Sequence, residues 1–225
     1  MSAKGSSVHR KSPPRSRICA KVFDRAMLKS LKMLAEDLRE KARWNYQDDS
    51  LPSIVKVLST DGTLAMVLYR LMQGSRELGL SPLEMVFNKL NSAFGNAVIG
   101  RGADFGPGFV LFHSNGVVIN KSVRGGSNIH LHHEVTIGSD EAGNAPILGS
   151  NIDIGAGAKI IGRVTIGDDA RVGANAVVVH DVPAGATVVG IPAKPVRQRT
   201  TTSPLAKGGE ESVGSPDPKA DPPIG

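Results

Sequence analysis

The sequence predicts an α+β protein, a helical N-terminal region followed by a solenoid of hexapeptide repeats. Three observations predict it. From Leu148 an aliphatic residue recurs every six positions, through Ile154, Ile160, Ile166, Val172 and Val178. Between Val22 and Leu90 the apolar residues follow a helical period instead. Aromatics make up only 4% of the 225 residues while glycine contributes 26, as a core stacked from aliphatic side chains with tight corners requires.

Residues 1–21 hold Ser, Pro, Lys and Arg with little that is apolar, and read as a disordered basic tail. Its cations (Lys4, Arg10, Lys11, Arg15 and Arg17) could touch nucleic acid, but a solvated tail is the simpler reading. Residues 22–92 read as a helical domain. Met27, Leu31, Leu34 and Leu38 form an i, i+4, i+7 stripe, and Leu64, Val67, Leu68, Leu71 and Met72 repeat the pattern in a second helix. A third starts at Ser81-Pro82-Leu83-Glu84, with Ser81 as the expected N-cap, Pro82 next and Glu84 closing a capping box. The methionines here are read as core filling.

From 93 to 197 the period is six. Small or aliphatic side chains stand four residues after each repeat position, at Ile152, Ala158, Val164, Ala170, Ala176 and Val182. The same frame runs upstream through Ile99, Phe105 and Leu111, then Ile119, Leu131 and Ile137, with Gly125 in one slot. It skips by two residues between Leu111 and Ile119 and by five between Ile137 and Leu148, which predicts two extruded loops. Six suits neither an α-helix at 3.6 nor a strand at 2. It suits a triangular coil with one hexapeptide on each face, the aliphatic residue pointing inward and glycine at the corners. Residues 198–225 contain five prolines and read as a second disordered tail.

Composition narrows the function. Lysine and arginine total 27 against 21 acidic residues, a formal charge of +6, but many of the cations sit in the tails, so nucleic acid is not an expected partner. No run reaches the eighteen or so apolar residues of a membrane span. The basic N-terminus is not followed by an apolar segment, which argues against a secretory signal. A single cysteine, Cys19, excludes an intrachain disulfide framework and fits the cytoplasm.

Six histidines are present: His9 in the tail, His180 near the solenoid's end, and a group at His113, His130, His132 and His133. The group lies in the stretch bounded by the two skips. With about eighteen residues per coil, His130 to His133 fall one coil above His113. An imidazole beside a cleft is a natural general base, so His113 and His133 are the catalytic candidates. A histidine satisfied by backbone carbonyls is the alternative. No metal is expected, because adjacent His132 and His133 on a strand point to opposite faces.

The hexapeptide frame, the turn His113-Ser114-Asn115-Gly116-Val117-Val118-Ile119, the run Val135-Thr136-Ile137-Gly138, the segment Ile154-Gly155-Ala156-Gly157-Ala158-Lys159 and the ending Gly190-Ile191-Pro192-Ala193-Lys194-Pro195 together resemble the serine O-acetyltransferases, left-handed β-helix acyltransferases. The resemblance runs from about Ala35 to Arg197. It implies that His113 removes the proton of an acceptor hydroxyl, which then attacks the thioester of acetyl-CoA, the co-substrate. It implies a homotrimer or a dimer of trimers with CoA between subunits. By the same resemblance, Ser139, Ala156 and Ala174 line that groove through their backbone, and Arg171 and Lys194 meet the nucleotide phosphates.

Departures from the family pattern keep three activities open. Val98 stands where the family has an aspartate that orients the histidine. Phe112 replaces an aspartate that helps hold serine, and Asn144-Ala145 replaces an Arg-His pair in a loop that also carries Asp140 and Glu141. The readings are serine acetylation in cysteine biosynthesis, with Arg101 or Arg124 as a replacement cation; acetylation of a sugar hydroxyl in polysaccharide biosynthesis; and a catalytically silent binding scaffold. The family can dock a C-terminal isoleucine into cysteine synthase. The ending Ile224-Gly225 speaks against such docking here.

Overall fold

A parallel solenoid leaves the carbonyls of its first coil without a coil beneath them, and the helical region supplies their donors. A computed structural model describes residues 15–198, with side chains from 27 to 196. Residues 1–14 and 199–225, and with them most of both expected tails and the C-terminal Ile224-Gly225, lie outside the described residues. Four helices come first: α1 (Arg15–Tyr46), α2 (Leu51–Val57), α3 (Thr63–Glu77) and α4 (Ser81–Phe94). Residues 15–21, assigned to the tail from their composition, therefore belong to α1, and α4 runs two residues past the expected boundary at 92.

Four further features of the helical region differ from the expectation. Leu80 rather than Ser81 holds the N-cap position of α4 and no side chain caps it. Glu84 does not close a capping box but approaches Arg101 at 3.8 Å. Helix α2 is only seven residues long, and its two turns carry too little periodicity to mark it in the sequence. Finally, the apolar stripe of α1 is only partly its inner face, Leu34 and Leu38 being half-buried. Met27 and Leu31 are 37% and 51% exposed, whereas Ser30, Asp37, Lys41 and Ala42 are buried.

Those polar residues face inward because the solenoid's end is polar. Arg70 of α3 uses all five of its N–H donors. Nε and Nη2 form a fork on Asp37 at 2.6 and 2.9 Å, and the remaining three reach Gln73, the Phe105 carbonyl at 2.8 Å and the Gly106 carbonyl at 2.6 Å. Asp37 also accepts the Phe109 N–H at 2.9 Å. Asn88 donates to the Ile99 carbonyl at 2.7 Å, and Tyr69 to that of Ala103 at 3.3 Å. Buried carbonyls need such partners.

The solenoid has three faces. The first stacks β1 (Ala97–Ile99), β4 (Val117–Ile119), β7 (Thr136–Gly138), β10 (Lys159–Ile161) and β13 (Val177–Val178). The second stacks β2 (Asp104–Phe105), β5 (Arg124–Gly125), β8 (Ile147–Leu148) and β11 (Thr165–Ile166). The third stacks β3 (Phe109–Leu111), β6 (Ile129–Leu131), β9 (Ile152–Ile154), β12 (Arg171–Val172) and β14 (Ala186–Val189), closed by β15 (Lys194–Gln198). All pairings are parallel except β14 with β15.

The predicted inward residues are buried as expected, from Ile99 through Val178, with Gly125 as the one gap. Phe105 fills that gap from the coil below: a Cβ on Gly125 would stand 2.4 Å from the Phe105 ring. Two corners require a left-handed residue in every coil. Gly108, Asn128, Asn151, Asp169 and Gly185 occupy one; Asn96, Gly116, Glu134, Gly157 and Asn175 occupy the other. Glycine takes this conformation freely, and Asn or Asp more readily than other side chains. The two register skips appear as loops at residues 112–116 and 139–146.

Two variants test this packing by urea unfolding. Asp37→Ala, which strands the Arg70 guanidinium in the interior, is expected to cost about 3–5 kcal/mol. Gly125→Ala, which forces a methyl onto the Phe105 ring, is expected to cost about 1–3 kcal/mol.

Candidate active site

Each third-face strand is followed by a tight corner, and stacking places equivalent corner residues above one another. The second residue after β3, β6, β9 and β12 is His113, His133, Ala156 and Ala174 in turn. The Phe112 N–H bonds the Leu131 carbonyl at 3.0 Å, His132 bonds Ile154 at 3.1 Å, and Asn175 bonds Ala156 at 2.8 Å. Four of the seven predicted site residues thus share one edge of the prism. Above the two imidazoles this edge carries only glycine, alanine and asparagine, so an extended chain can approach the backbone closely. Lys194, on β15 opposite Val189, stands at the C-terminal end of the same edge.

The other two candidates lie elsewhere on a single chain. Ser139 follows β7, on the corner between the first and second faces, where Asn120 donates to its hydroxyl at 3.1 Å. Arg171 sits on the outer side of the third face, 3.4 Å from Asp153.

His113 projects from the first loop and is half exposed. Its Nδ1 lies 3.2 Å from Asp61 Oδ2, and its ring centroid lies 6.0 Å from that of His133. It opens into a recess of about 520 Å³ lined also by Trp44, Ser59, Thr60, Asp61, Phe112 and His132. Aromatic contacts build one wall, with Trp44 on Phe112 at 5.0 Å and Phe112 on His132 at 4.9 Å. Burial first, and the neighbouring His113 and His133 rings second, hold the His132 pKa below its ordinary value, which favours a neutral ring.

Beneath the recess, buried Lys41 donates to the carbonyls of Asp61 and Leu111 (2.8 Å for Leu111) and to the Thr63 hydroxyl at 3.0 Å. Desolvation pulls its pKa down to about 8 against the opposing pull of Asp61. His130 is separated from the other histidines of its group. It lies under α1 with Nδ1 on Asp153 at 2.8 Å and Nε2 3.4 Å from Glu40, joining helix to solenoid.

Among the described residues that line the recess there is no lysine or arginine. Arg101 approaches Glu84, and Arg124 donates to the Gly102 carbonyl at 2.9 Å, so neither expected replacement cation lines it. Asp61, Trp44 and Lys41 carry no sequence signal of their place here. Nothing local marks them, because each meets His113 or its turn only through the packing of helices on the first coil. Among the described residues no helix is long and apolar enough to cross a membrane.

A helical cap, a hexapeptide solenoid and an imidazole at the foot of a small-residue edge define a hexapeptide-repeat acyltransferase. No protein-family model matches the chain. It is 32% identical over 168 residues to a serine acetyltransferase of Helicobacter pylori strain J99, a match covering 73% of this chain and 92% of that protein. The crystal structure of Neisseria gonorrhoeae serine acetyltransferase superposes with a TM-score of 0.69 at 32% identity, covering 81% of this chain and 72% of that one. The same enzyme in complex with serine gives 0.68 at 31%, covering 79% and 74%. The chain belongs to the serine acetyltransferase family, whose left-handed β-helix the solenoid shares.

The His130 hydrogen bond, outweighing burial, which acts in the opposite direction, holds the Asp153 carboxyl below its ordinary 3.8. A depressed carboxylate stabilises the fold above its unfolded pKa and loses that contribution as pH falls through the folded value. Thermal unfolding followed from about pH 5 to pH 3 is therefore expected to show a smaller loss of melting temperature in Asp153→Asn than in the wild type.

Proposed function

We propose that this chain transfers the acetyl group of acetyl-CoA to the hydroxyl of L-serine, with His113 as general base. The single observation that carries the reading is the His113 imidazole, open to the recess on one side and at the foot of the small-residue edge on the other. His113 takes the hydroxyl proton as the serine oxygen attacks the thioester carbonyl. The tetrahedral intermediate then expels the CoA thiolate, which receives the proton back from the imidazolium. His133, one coil above, is the second imidazole at the reacting centre. Ala156 and Ala174 let the pantetheine arm approach the backbone, and Lys194 meets the phosphates. Arg171 is a weaker phosphate ligand, since Asp153 engages it.

Serine is favoured over a sugar hydroxyl because the relatives are serine acetyltransferases and solved neighbours hold serine. The same relatives speak against a silent scaffold. We further propose a homotrimer, which would bring the Ser139 corner of one copy to the His113 edge of the next. The outward Val98 and Val118, 51% and 41% exposed on the first face, support it. Pairing of two trimers through the exposed stripe of α1, and a cytoplasmic location, complete the proposal.

Thiol release from acetyl-CoA is expected with L-serine and not with nucleotide sugars. His113→Ala is expected to lower kcat about a hundredfold or more while CoA binding survives. Undiminished turnover in that variant would remove His113 from the mechanism.

A further inference from the structure

The geometry assigns Asp61 as the positioning residue of His113, so that the helical region rather than the solenoid supplies the carboxylate that fixes the base. The assignment rests on His113 being that base. Asp61 Oδ2 is 3.2 Å from Nδ1. A carboxylate only accepts, so the shared proton belongs on Nδ1, and Nε2 keeps its lone pair for the incoming hydroxyl.

Asp61 is 76% exposed, and an exposed acid on a loose loop would orient little. This loop is held from two sides. The Lys41 ammonium bridges the Asp61 carbonyl to the carbonyl of Leu111, two residues ahead of His113. Gly62, at φ 77°, lies so close to the same carbonyl that a Cβ there would stand 2.3 Å from it. Thr63 accepts from Lys41 at 3.0 Å and donates to the Val57 carbonyl at 2.8 Å, tying the loop to the end of α2. One nitrogen thus fixes the backbone on both sides of the Asp61–His113 contact. On the solenoid, Val98 has no polar atom to offer and stacks beside Val118.

Asp61 also lines the acceptor recess, and gripping a substrate ammonium is the competing role. Kinetics separate the two. In Asp61→Asn, kcat for L-serine is expected to fall about tenfold to a hundredfold, with KM within about twofold and thermal unfolding unchanged. Asp61→Glu is expected to regain part of the loss. Long-range ¹⁵N NMR of histidine-labelled protein provides a readout independent of any acceptor. His113 is expected as the Nδ1–H tautomer in the wild type and to move toward Nε2–H in Asp61→Ala. An unchanged kcat, a rise in KM alone, or the same tautomer in both proteins overturns the assignment. If the wild type does not acetylate serine, the acceptor reading fails by itself, and the ¹⁵N shifts still decide the role of Asp61.

Discussion

Hydrogen bonds between successive coils are the constraint on which the site depends. A hexapeptide cannot slide along its neighbour without turning its aliphatic residue out of the core, so the register is held at every step. Ala97 pairs with Val117, Val118 with Thr136, Thr136 with Lys159 and Lys159 with Val177, steps of 20, 18, 23 and 18 residues. The longer steps contain the two loops. Because the strands on either side of each loop stay paired, the extra residues must leave the prism, and one of the two loops carries His113. The stacking of His113, His133, Ala156 and Ala174 follows from the register rather than from any direct attraction among them.

The lower end of the solenoid imposes a second constraint. Its first coil both donates upward, as Gly100 does to the Ile119 carbonyl, and accepts from above, as Pro107 does from Asn128, while the carbonyls that alternate to its lower side face the helices. Side-chain donors satisfy them: Asn88 at Ile99, Tyr69 at Ala103, Arg70 at Phe105 and Gly106, and Lys41 at Leu111. Burying Arg70 and Lys41 is costly unless each donor finds an acceptor. A row of unpaired carbonyls provides those acceptors, so the desolvation of one group offsets that of the other.

These two constraints differ in how plainly the sequence carries them. The repeat is local: Ile154, Ile160 and Ile166 announce their inward direction by spacing alone, and both loops appear as breaks in that spacing. The cap is not local. Asp37 and Arg70 are 33 positions apart and Lys41 and Leu111 are 70 apart, and no periodic rule marks a charged residue as an inner face. Hydrophobic patterning consequently marks Met27 and Leu31 of α1 and passes over its buried Asp37 and Lys41. The same spacing puts His113 in an extruded loop, where the structure has it, but does not mark Asp61, whose contact depends on how α1 and α3 settle on the first coil.

Cap and site are therefore one construction. An imidazole on an inner coil would have a coil above and below, and the acceptor could enter only from the side. On the first coil the lower side belongs to helices, whose side chains can be spaced apart to leave a recess, and Trp44, Thr60 and Asp61 line it. The upper side remains solenoid, where His133 and the alanine edge continue in register, the path proposed for the long, flexible donor. The Lys41 bond to Leu111 belongs to both halves, since it ends the carbonyl row and holds the turn that presents His113. A change that loosens the cap should thus disturb the base before it disturbs the edge above it. With His113 as the proposed base, helix docking belongs to the proposed catalytic geometry as well as to the support of the fold.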